Sequence, residues 1–415
     1  MIGKNMTRGV RGGGLGRMSR LRRPLAATAT AALAVTAVAA CSSSGSSSSG
    51  AKSPIKLMVI STLQSAAFGF PEAVDGAKAA AAKINAAGGV NGRQIEIQSC
   101  NDQFDPNTAV ACAQKAVSQK VSGVLTGYTS YGSKIVPVLA AAKIPFLGAL
   151  PATEVEWNSP VSFPFSPGTN GLFAALSTKL YEQKCTKMAL LSNTAGASID
   201  TSHAAETAFK QAGGEVVYKA TIPPTAADVA PQVVALLKAG AKCVVSVIPP
   251  AVQLNFIKAA YAADPTLPIG LGGLDDEVVA KLGPAGQNLV RAEASYPAAS
   301  DQMKPFVAAL HAFNPAAVVS AWSLNTYSGV EAIAEAAKGL DKTDGASLIA
   351  ALDKTSVTLS GYPKPIDFTK PLAIKGWSRL FNSEVVVSHF QGDHFVAYPG
   401  TVDSLAALQA TRGGA

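Results

Sequence analysis

The sequence predicts an α/β protein made of two doubly wound parallel-sheet domains, and three observations support this fold class. Short apolar runs of strand length alternate with alanine-rich helical patterns, which is typical of parallel sheets covered by helices. Pairs of glycines end predicted helices just before a strand. The chain has 415 residues, which is long for a single core and suits two domains.

The clearest unit of this pattern covers residues 55–106. An apolar strand leads into a helix that Gly88 and Gly89 end, because glycine readily takes the left-handed conformation found at helix ends. After an Asn-Gly turn, apolar residues alternate along the second strand. Asp105 is placed to cap the next helix, with Pro106 in its first turn. In such folds, ligands bind beyond the carboxyl ends of the strands.

Two segments of this unit carry a resemblance to a known family. GAKAAAAKINAAGGVNGRQIEI and DPNTAVACAQKAV resemble the type I periplasmic binding proteins of the leucine/isoleucine/valine-binding branch, the solute receptors of ABC importers. The resemblance extends over nearly everything after residue 53. It implies two lobes joined by a three-segment hinge, a small-molecule solute as ligand and ABC permease subunits as partners. We further expect a monomer without a cofactor.

Both domains are predicted to repeat strand and helix. The expected strands are 55–60, 94–99, 121–126 and 145–147 in domain 1, with a crossing segment at 161–165, and 188–191, 215–220, 243–247, 268–271 and 289–295 in domain 2. Asp228 is expected to cap the helix that carries Val233 and Leu236. Residues 301–354 are predicted to be helical, and 380–390 with 393–398 to form a closing hairpin.

These elements define the expected organisation of the chain. It comprises a signal peptide at 1–40, a flexible Ser/Gly tether at 41–53, lobe 1 at 54–165, lobe 2 at 166–297, a return to lobe 1 at 298–365, and a closing hairpin and tail of lobe 2 at 366–415. By resemblance, the return segment rejoins lobe 1 and the hairpin joins lobe 2. Three crossings between the lobes would form a hinge that closes around a ligand.

The N-terminus has the pattern of an export signal. Basic residues are followed by an Ala/Leu/Val run that ends at Cys41, and a serine/glycine stretch follows directly. The run is shorter than the roughly 20 residues of a membrane span. The residues before Cys41 resemble a bacterial lipobox, which implies acylation of Cys41 and anchoring to the outer face of the cytoplasmic membrane. The alternative is an ordinary signal with a chance cysteine. Met18 is a candidate start, and Arg22-Arg23 leaves twin-arginine export open.

The net charge of +8 comes from this leader. Seven of the 35 basic residues lie within residues 1–40, which contain no acidic residue, so the rest has 28 basic against 27 acidic residues. A near-neutral chain without a basic stripe does not indicate nucleic-acid binding.

Four cysteines follow Cys41, and they permit three disulfide pairings. We favour Cys185 with Cys243, because each begins or precedes an apolar strand and a 2-1-3 strand order makes these strands parallel neighbours. Cys100 and Cys112 then form the second pair. A metal site is the alternative, and it is disfavoured because no two cysteines have close ligand spacing.

The candidate ligand-binding residues lie in the loops after the predicted strands. By resemblance, Thr129-Ser130 matches a hydroxyl pair of the family and Ala152-Thr153 matches a second pair, and hydroxyls and backbone N–H groups there would hold a ligand carboxylate. The alternative for each hydroxyl is that it only caps a helix. The full set is Gln64, Ser65, Phe68, Tyr128, Thr129, Ser130, Ala152 and Thr153 in lobe 1, Asn193, Ala195, Pro249, Gly273, Leu274 and Asp275 in lobe 2, and Tyr327 in the return segment.

Lobe 2 departs from the amino-acid-binding pattern of the family. The family's tyrosine before glycine is Ala195 here, and the next loop reads Ile248-Pro249-Pro250. A desolvated ammonium group needs a carboxylate or aromatic faces, and Asp275 is the plausible carboxylate, although it could simply cap the next helix. We therefore expect weak binding of branched-chain amino acids and a neutral or carboxylate-bearing solute instead.

The sequence does not indicate an enzyme. It contains no G-x-S-x-G, Walker A or H-E-x-x-H motif, although a serine hydrolase on an α/β core remains a formal alternative. The favoured function is capture of a small organic solute outside the cell and delivery to an ABC importer. The alternative is a sensor lobe that reports the solute to a membrane signalling partner.

Overall fold

Two sheets organise the residues that the computed structural model describes, which are 52–66, 68–148, 150–193 and 196–413. The first part of the chain alternates strand and helix, as predicted. Its elements are β1 (Ile55–Ser61), α1 (Glu72–Ala86), β2 (Ile95–Asn101), α2 (Pro106–Ser118), β3 (Gly123–Leu125), α3 (Gly132–Ala141), β4 (Phe146–Leu147), α4 (Glu154–Asn158) and β5 (Ser162–Phe163).

The first sheet is parallel throughout, with strand order β2-β1-β3-β4-β5. Side chains alternate along β1, so Leu57 and Val59 pack into one apolar cluster with α1, whereas Met58 and Ile60 pack into a second cluster with α2 and α3. Helices therefore cover both faces, and ligand-binding loops are left at the strand ends. Asp105 caps α2 as predicted, accepting the Thr108 N–H at 2.8 Å.

The second sheet repeats this plan and confirms the predicted 2-1-3 order. The elements of this part are α5 (Gly168–Glu182), β6 (Lys187–Ser192), α6 (Gly196–Gln211), β7 (Glu215–Thr221), α7 (Ala230–Lys238), β8 (Cys243–Val247), α8 (Pro250–Ala263), β9 (Ile269–Leu271), α9 (Asp276–Ala280) and β10 (Leu289–Glu293). The first strand of this lobe, β6, pairs in parallel with β7 on one side and with the third, β8, on the other.

The last part of the chain is shared between the two sheets. Its elements are α10 (Lys304–Phe313), α11 (Ala321–Ala336), α12 (Gly345–Leu352), β11 (Ser356–Val357), β12 (Ile366–Asp367), β13 (Glu384–Gln391), β14 (His394–Ala397), β15 (Val402–Asp403) and α13 (Leu405–Thr411). Helices α10 and α11 pack on α1 of the first lobe. The hairpin β13–β14 extends the second sheet, because β13 pairs antiparallel with β10.

The chain passes between the lobes three times, after β5, after β10 and between β12 and β13. Hydrogen bonds tie these crossing segments together. The Tyr296 N–H donates to the Gly361 carbonyl at 2.8 Å, and the Asn382 side chain donates to the Phe165 carbonyl at 2.9 Å. Such a triple crossing is the hinge that the resemblance implied.

Both predicted disulfides are present. Cys185 and Cys243 have Cα atoms 6.0 Å apart, and Cys100 and Cys112 have Cα atoms 5.6 Å apart. Each bridge lies within one lobe.

Three local predictions need correction. Residues 380–383 are not part of the closing hairpin, because β13 begins only at Glu384, after the crossing segment has left the first lobe. The strand predicted at 289–295 ends at Glu293. Asp228 precedes the cap position of α7, which is Val229, although its carboxylate accepts the Ala230 N–H at 2.9 Å. Among the described residues, none of the helices is both long and apolar enough to cross a membrane.

Candidate functional site

The predicted site loops lie at the carboxyl ends of the strands in both sheets. Most of their polar groups are used to build the loops. The Ser65 hydroxyl donates to the Phe68 carbonyl at 2.6 Å and accepts the Phe68 N–H at 3.1 Å. Gln64 is held through its backbone, since both its N–H and its carbonyl bond to the Asn101 side chain. These contacts hold the loop after β1 in a conformation in which the rings of Phe68 and Phe70 lie 5.6 Å apart.

An aromatic cluster is the main feature of this edge of lobe 1. Phe68 lies 4.9 Å from Phe104 between ring centroids, and Trp322 lies 5.0 Å from Phe70 and 5.2 Å from Tyr128. The rings are partly accessible to solvent, and Phe104 is 40% exposed. The cluster comprises Phe68, Phe70, Phe104, Tyr128, Tyr131 and Trp322.

Sequence analysis found only Phe68 and Tyr128 of this cluster. Phe70, Phe104 and Tyr131 follow strand ends, which is the signal that could have found them. Trp322 comes from the first turn of α11, whose cap Ser320 accepts the Ser323 N–H at 3.3 Å. A helix cap followed by an aromatic residue occurs too commonly to indicate a ligand site, so the sequence alone does not predict that Trp322 lies at this edge.

The hydroxyl of Thr129 donates its hydrogen bond to a buried carboxylate of the protein. Asp102 is fully buried, and it accepts the hydroxyls of Thr62 at 2.6 Å and of Thr129 at 2.7 Å. The Thr129 oxygen also accepts the Tyr131 N–H at 3.1 Å. A hydroxyl has a single hydrogen, so Thr129 has none left for a ligand. The neighbouring Ser130 is exposed, and its hydroxyl lies 2.9 Å from that of Tyr128.

The hydroxyl of Thr153 likewise donates to a buried carboxyl group of the protein. Glu156 accepts the Thr153 hydroxyl at 2.9 Å and the N–H groups of Ala152 and Thr153, each at 3.2 Å. This arrangement is a capping box at the start of α4. Burial raises the pKa of Glu156, and these hydrogen bonds offset the effect in part. The hydroxyls of Thr129 and Thr153, with the N–H groups of Ala152 and Thr153, therefore already hold carboxyl groups of the protein.

The lobe 2 residues lie in three neighbouring loops. The Ser198 hydroxyl accepts the Asn193 N–H at 3.1 Å and donates to the Val247 carbonyl at 2.8 Å, which ties two of the loops together. Pro249 occupies the cap position of α8. Gly273 has φ 78°, a left-handed conformation that favours glycine. Ala195 and Cys41 lie outside the described residues, so the structure does not place them.

An arginine anchors the third loop of lobe 2. Arg291 is buried, and it bonds to the Leu274 carbonyl at 3.0 Å, to Asp276 at 3.1 Å and to Glu293 at 3.1 Å. Its guanidinium carbon lies 3.9 Å from the centroid of the Phe395 ring. Leu274 itself is 3% exposed, so it presents little side chain to a ligand.

Asp275 lies at the start of α9 without capping it. It occupies the cap position, but its side chain makes no capping hydrogen bond. Asp275 is exposed to solvent. Burial raises the pKa of Glu72 in α1, the Ser320 hydroxyl bond at 3.0 Å partly offsets this increase, and the charge of Asp275 adds to it.

The carboxyl groups at this edge share the same electrostatic environment. Desolvation raises the pKa of Asp275, Arg291 lowers it, and the charges of Asp276 and Glu277 raise it again. Burial likewise raises the pKa of Glu293, with Arg291 opposing the increase. We call the space between the loops of the two lobes the interlobe cleft.

The prediction for Tyr327 is wrong. Its side chain is fully buried and packs against Phe306, with ring centroids 5.0 Å apart. Its hydroxyl lies 3.3 Å from Lys83 Nζ, which is about three helical turns along α1 from the cleft. Trp322 takes the place in the site that the sequence analysis gave to Tyr327.

No group of three or more potential metal-ligating side chains occurs within the described ranges.

Comparisons with known proteins place this architecture. A family model described as "Periplasmic binding protein" matches residues 54–373. No curated protein sequence matches the chain. Many solved structures share the fold. One is an ABC transporter solute-binding protein from R. palustris in complex with 4-hydroxybenzoate, with a TM-score of 0.71 and 22% identity, covering 85% of this chain and 98% of that chain.

Two further structures are similar to the same extent. The branched-chain amino acid transporter substrate-binding protein from Streptococcus pneumoniae, in complex with isoleucine, has a TM-score of 0.70 and 18% identity, covering 84% of this chain and 99% of that chain. The fatty acid ABC transporter substrate-binding protein from Thermomonospora curvata has a TM-score of 0.69 and 18% identity, covering 85% and 93%. At these identities, the similarity shows a shared fold.

Proposed function

Because the chain belongs to the periplasmic binding protein family, we propose that it captures a small organic solute in the interlobe cleft and delivers it to the permease of an ABC importer. The proposal is supported by the family match and by the fold that the chain shares with solute-binding proteins of ABC transporters. The observation that carries the proposal is the partly exposed aromatic cluster at the strand ends of lobe 1. A cleft with apolar walls and a few polar groups is the usual form of a small-molecule site.

The mechanism is binding followed by closure. The three crossing segments, tied by the Tyr296–Gly361 and Asn382–Phe165 hydrogen bonds, let the lobes rotate while each lobe keeps its own disulfide and core. A closed form then presents loops of both lobes to the permease. The proposal involves no chemical change in the solute.

Branched-chain amino acids are not the proposed ligands. An amino acid needs donors for its carboxylate, and the hydroxyls of Thr129 and Thr153 already donate to Asp102 and Glu156. A ligand carboxylate would have to displace these internal partners. Micromolar binding of leucine or valine in a calorimeter would contradict this part of the proposal.

Membrane anchoring through Cys41 is also proposed, from the lipobox-like sequence before it. The test is expression of the full chain with labelled fatty acid. We expect label on the wild-type protein and none on the Cys41→Ser variant. Label on both proteins would show that acylation does not take place at Cys41.

The central test is a thermal-shift screen with amines, amino acids, aromatic acids, fatty acids and sugars. A solute that binds only the folded state at 100 times its Kd adds about 2.7 kcal/mol to the free energy of unfolding, so it raises the Tm. Small-angle scattering should then show a more compact protein with that solute. If no solute class changes either measurement, the proposed function is wrong. A sensor role would retain solute binding but show no dependence of uptake on the protein.

A further inference from the structure

One carboxyl group connects the three loops that follow β1, β2 and β3. Asp102, directly after β2, is fully buried. Its Oδ1 atom accepts the Thr62 hydroxyl at 2.6 Å from the loop after β1, and its Oδ2 atom accepts the Thr129 hydroxyl at 2.7 Å from the loop after β3. Its backbone N–H donates to the Ser61 carbonyl at 3.0 Å. Asp102 therefore lies at the centre of these three loops.

The rest of its own loop, residues 101–105, adds to these connections, and we call this segment the β2 loop. Asn101 Oδ1 accepts the Leu63 N–H at 3.0 Å, which holds the loop after β1. The Tyr131 hydroxyl donates to the Phe104 carbonyl at 3.0 Å, which holds the segment after β3. Side-chain hydrogen bonds thus connect the β2 loop to both of its neighbours.

The β2 loop has a backbone conformation that needs support. Gln103 and Phe104 have φ angles of 55° and 56°, in the left-handed region that residues other than glycine rarely adopt. Such residues keep this conformation only where the surrounding structure holds them. Asp102 supplies part of the support, because its Oδ1 atom also accepts the Phe104 N–H at 3.0 Å. A restraint on the two ends of the loop would favour the same conformation.

The Cys100–Cys112 disulfide is such a restraint. Cys100 directly precedes the β2 loop, and Cys112 lies in the second turn of α2, which directly follows the loop. In the first sheet, Cys100 lies beside Ile60, near the carboxyl end of β1. The bridge therefore restrains both ends of the β2 loop at the edge of the sheet where the site loops begin.

The second disulfide provides a contrast. Cys185 precedes β6 and Cys243 begins β8, so this bridge lies at the amino ends of these strands, the opposite edge from the site loops. It closes a loop of 58 residues, against 12 for Cys100–Cys112, and its loss should therefore lower the global stability more. The two bridges separate an effect on stability from an effect on the site.

We propose that Asp102 is the positioning residue of the lobe 1 site, and that the Cys100–Cys112 disulfide holds it against Thr62 and Thr129. Because Asp102 is fully buried, it acts through the neighbouring loops and not by contact with the solute. This inference rests on the proposed function and deepens it, since the three loops carry five of the six rings of the aromatic cluster.

Hydrogen exchange followed by mass spectrometry tests the positioning without a solute. In the full chain, replacing both cysteines of the Cys100–Cys112 bridge by serine should raise the exchange rate of the backbone N–H groups at 62–64 and 128–131 by about tenfold, because these loops then open locally more often. The same change at Cys185–Cys243 should alter exchange there by less than about twofold, although it lowers the urea midpoint more.

Substitution of Asp102 tests the side chain itself. Asp102→Ala should raise the exchange rate of both loops by about tenfold, since it removes all of the acceptors that connect them. Asp102→Asn keeps one acceptor oxygen, so it should return exchange at 62–64 towards the wild-type rate. Asp105→Ala is the matched control in the same loop. The Asp105 carboxylate accepts the N–H and the hydroxyl of Thr108 in α2, so its loss should leave both neighbouring loops unchanged.

The emission of Trp322 gives a second readout at the site. The chain has three tryptophans, so Trp157→Phe with Trp377→Phe leaves Trp322 as the only one. Its ring packs in the aromatic cluster, and its emission should therefore shift to the red in Asp102→Ala. A role in global stability alone would lower the Tm and leave the emission of the folded protein unchanged.

The inference is wrong if exchange at 62–64 and 128–131 is unchanged in Asp102→Ala, or if loss of either bridge has the same effect there. Equal exchange at 62–64 in Asp102→Ala and Asp102→Asn would also contradict it. Should Asp102→Ala fail to fold, the comparison of the two bridges decides. These results do not depend on a solute. If a solute binds the wild-type protein and the loops do not respond, the receptor function is supported and the positioning role fails. If the loops respond and no solute binds, the reverse holds.

Discussion

Replacement of Arg291 by methionine should destabilise lobe 2 by about 3 kcal/mol. Arg291 is 5% exposed and bonds to Asp276, Glu293 and the Leu274 carbonyl. Removing one partner of a buried ion pair typically costs about 3 to 5 kcal/mol, because the remaining charges are left uncompensated. The side chains of Asp276 and Glu293 are 25% and 24% exposed, so water screens them in part and the lower end of that range applies.

The pH dependence of this change identifies its cause. Without Arg291, the folded-state pKa of Glu293, already raised by burial, rises further above its unfolded value. The folded variant then binds more protons than the unfolded chain, so its stability is retained in acid and lost as the pH rises through that pKa. Urea unfolding at pH 5 and pH 8 should therefore show the larger loss at pH 8.

The matched control is Lys281→Met. Lys281 pairs with Glu277, but the two side chains are 71% and 82% exposed, and such pairs contribute about 0 to 1 kcal/mol. If Arg291→Met costs no more than this control at pH 8, or costs more at pH 5 than at pH 8, the argument from buried uncompensated charge is refuted.

Two further predictions concern stability. Replacing both cysteines of the Cys185–Cys243 bridge by alanine should lower the free energy of unfolding by about 4 kcal/mol, and the same change at Cys100–Cys112 by about 3 kcal/mol, because the bridges close loops of 58 and 12 residues. Urea unfolding followed in each lobe measures the two losses, and a larger loss at Cys100–Cys112 would contradict the prediction. Glu156 has a raised pKa through burial, so its contribution is complete below the unfolded pKa and is lost as pH rises through the folded pKa. Glutamine cannot ionise, so the free energy of unfolding of Glu156→Gln, relative to that of the wild type, should be more favourable at pH 8 than at pH 5. The same difference at both pH values would contradict this prediction.

Much of the fold could be predicted because its signals are local. Glycine turns, apolar strands and the Asp105 cap each depend on a few neighbouring residues. Apart from the start of β13, the strands lie within about two residues of their predicted positions. The Cys185–Cys243 pairing followed from strand order, which the α/β pattern fixes. The errors at 380–383 and 294–295 fall where the chain crosses between lobes, and there the apolar residues pack in the hinge without forming a ladder.

The site was predicted less well because it is assembled from distant segments. The aromatic cluster brings together residues more than 250 positions apart in sequence, namely Phe70, Tyr128 and Trp322. A local sequence pattern cannot predict such a contact. The error at Tyr327 has a geometric cause. Five residues along a helix rotate a side chain by about 140°, so Trp322 and Tyr327 cannot share a face, and the one at the helix start reaches the cleft. The hydroxyls of Thr129 and Thr153 donate to Asp102 and Glu156. These hydrogen bonds could not be predicted, because the sequence does not show where the two acidic side chains lie.

The C-terminal helix should bias the lobes towards the arrangement seen here. Arg412, at the end of α13, pairs with Glu154 of α4 at 2.8 Å and lies over the Trp377 ring at 5.3 Å, while α13 packs on α5 and α6 of lobe 2. The pair therefore joins the two lobes in the arrangement seen here. Because these side chains are 34% and 55% exposed, its contribution is about 0.5 to 1 kcal/mol. Loss of this much favours states in which the lobes separate, so Arg412→Ala should weaken solute binding by about two- to fivefold. Lys338→Ala removes a comparable pair with Glu335 inside lobe 1 and should leave binding unchanged. If both variants have the same effect, α13 does not act on closure.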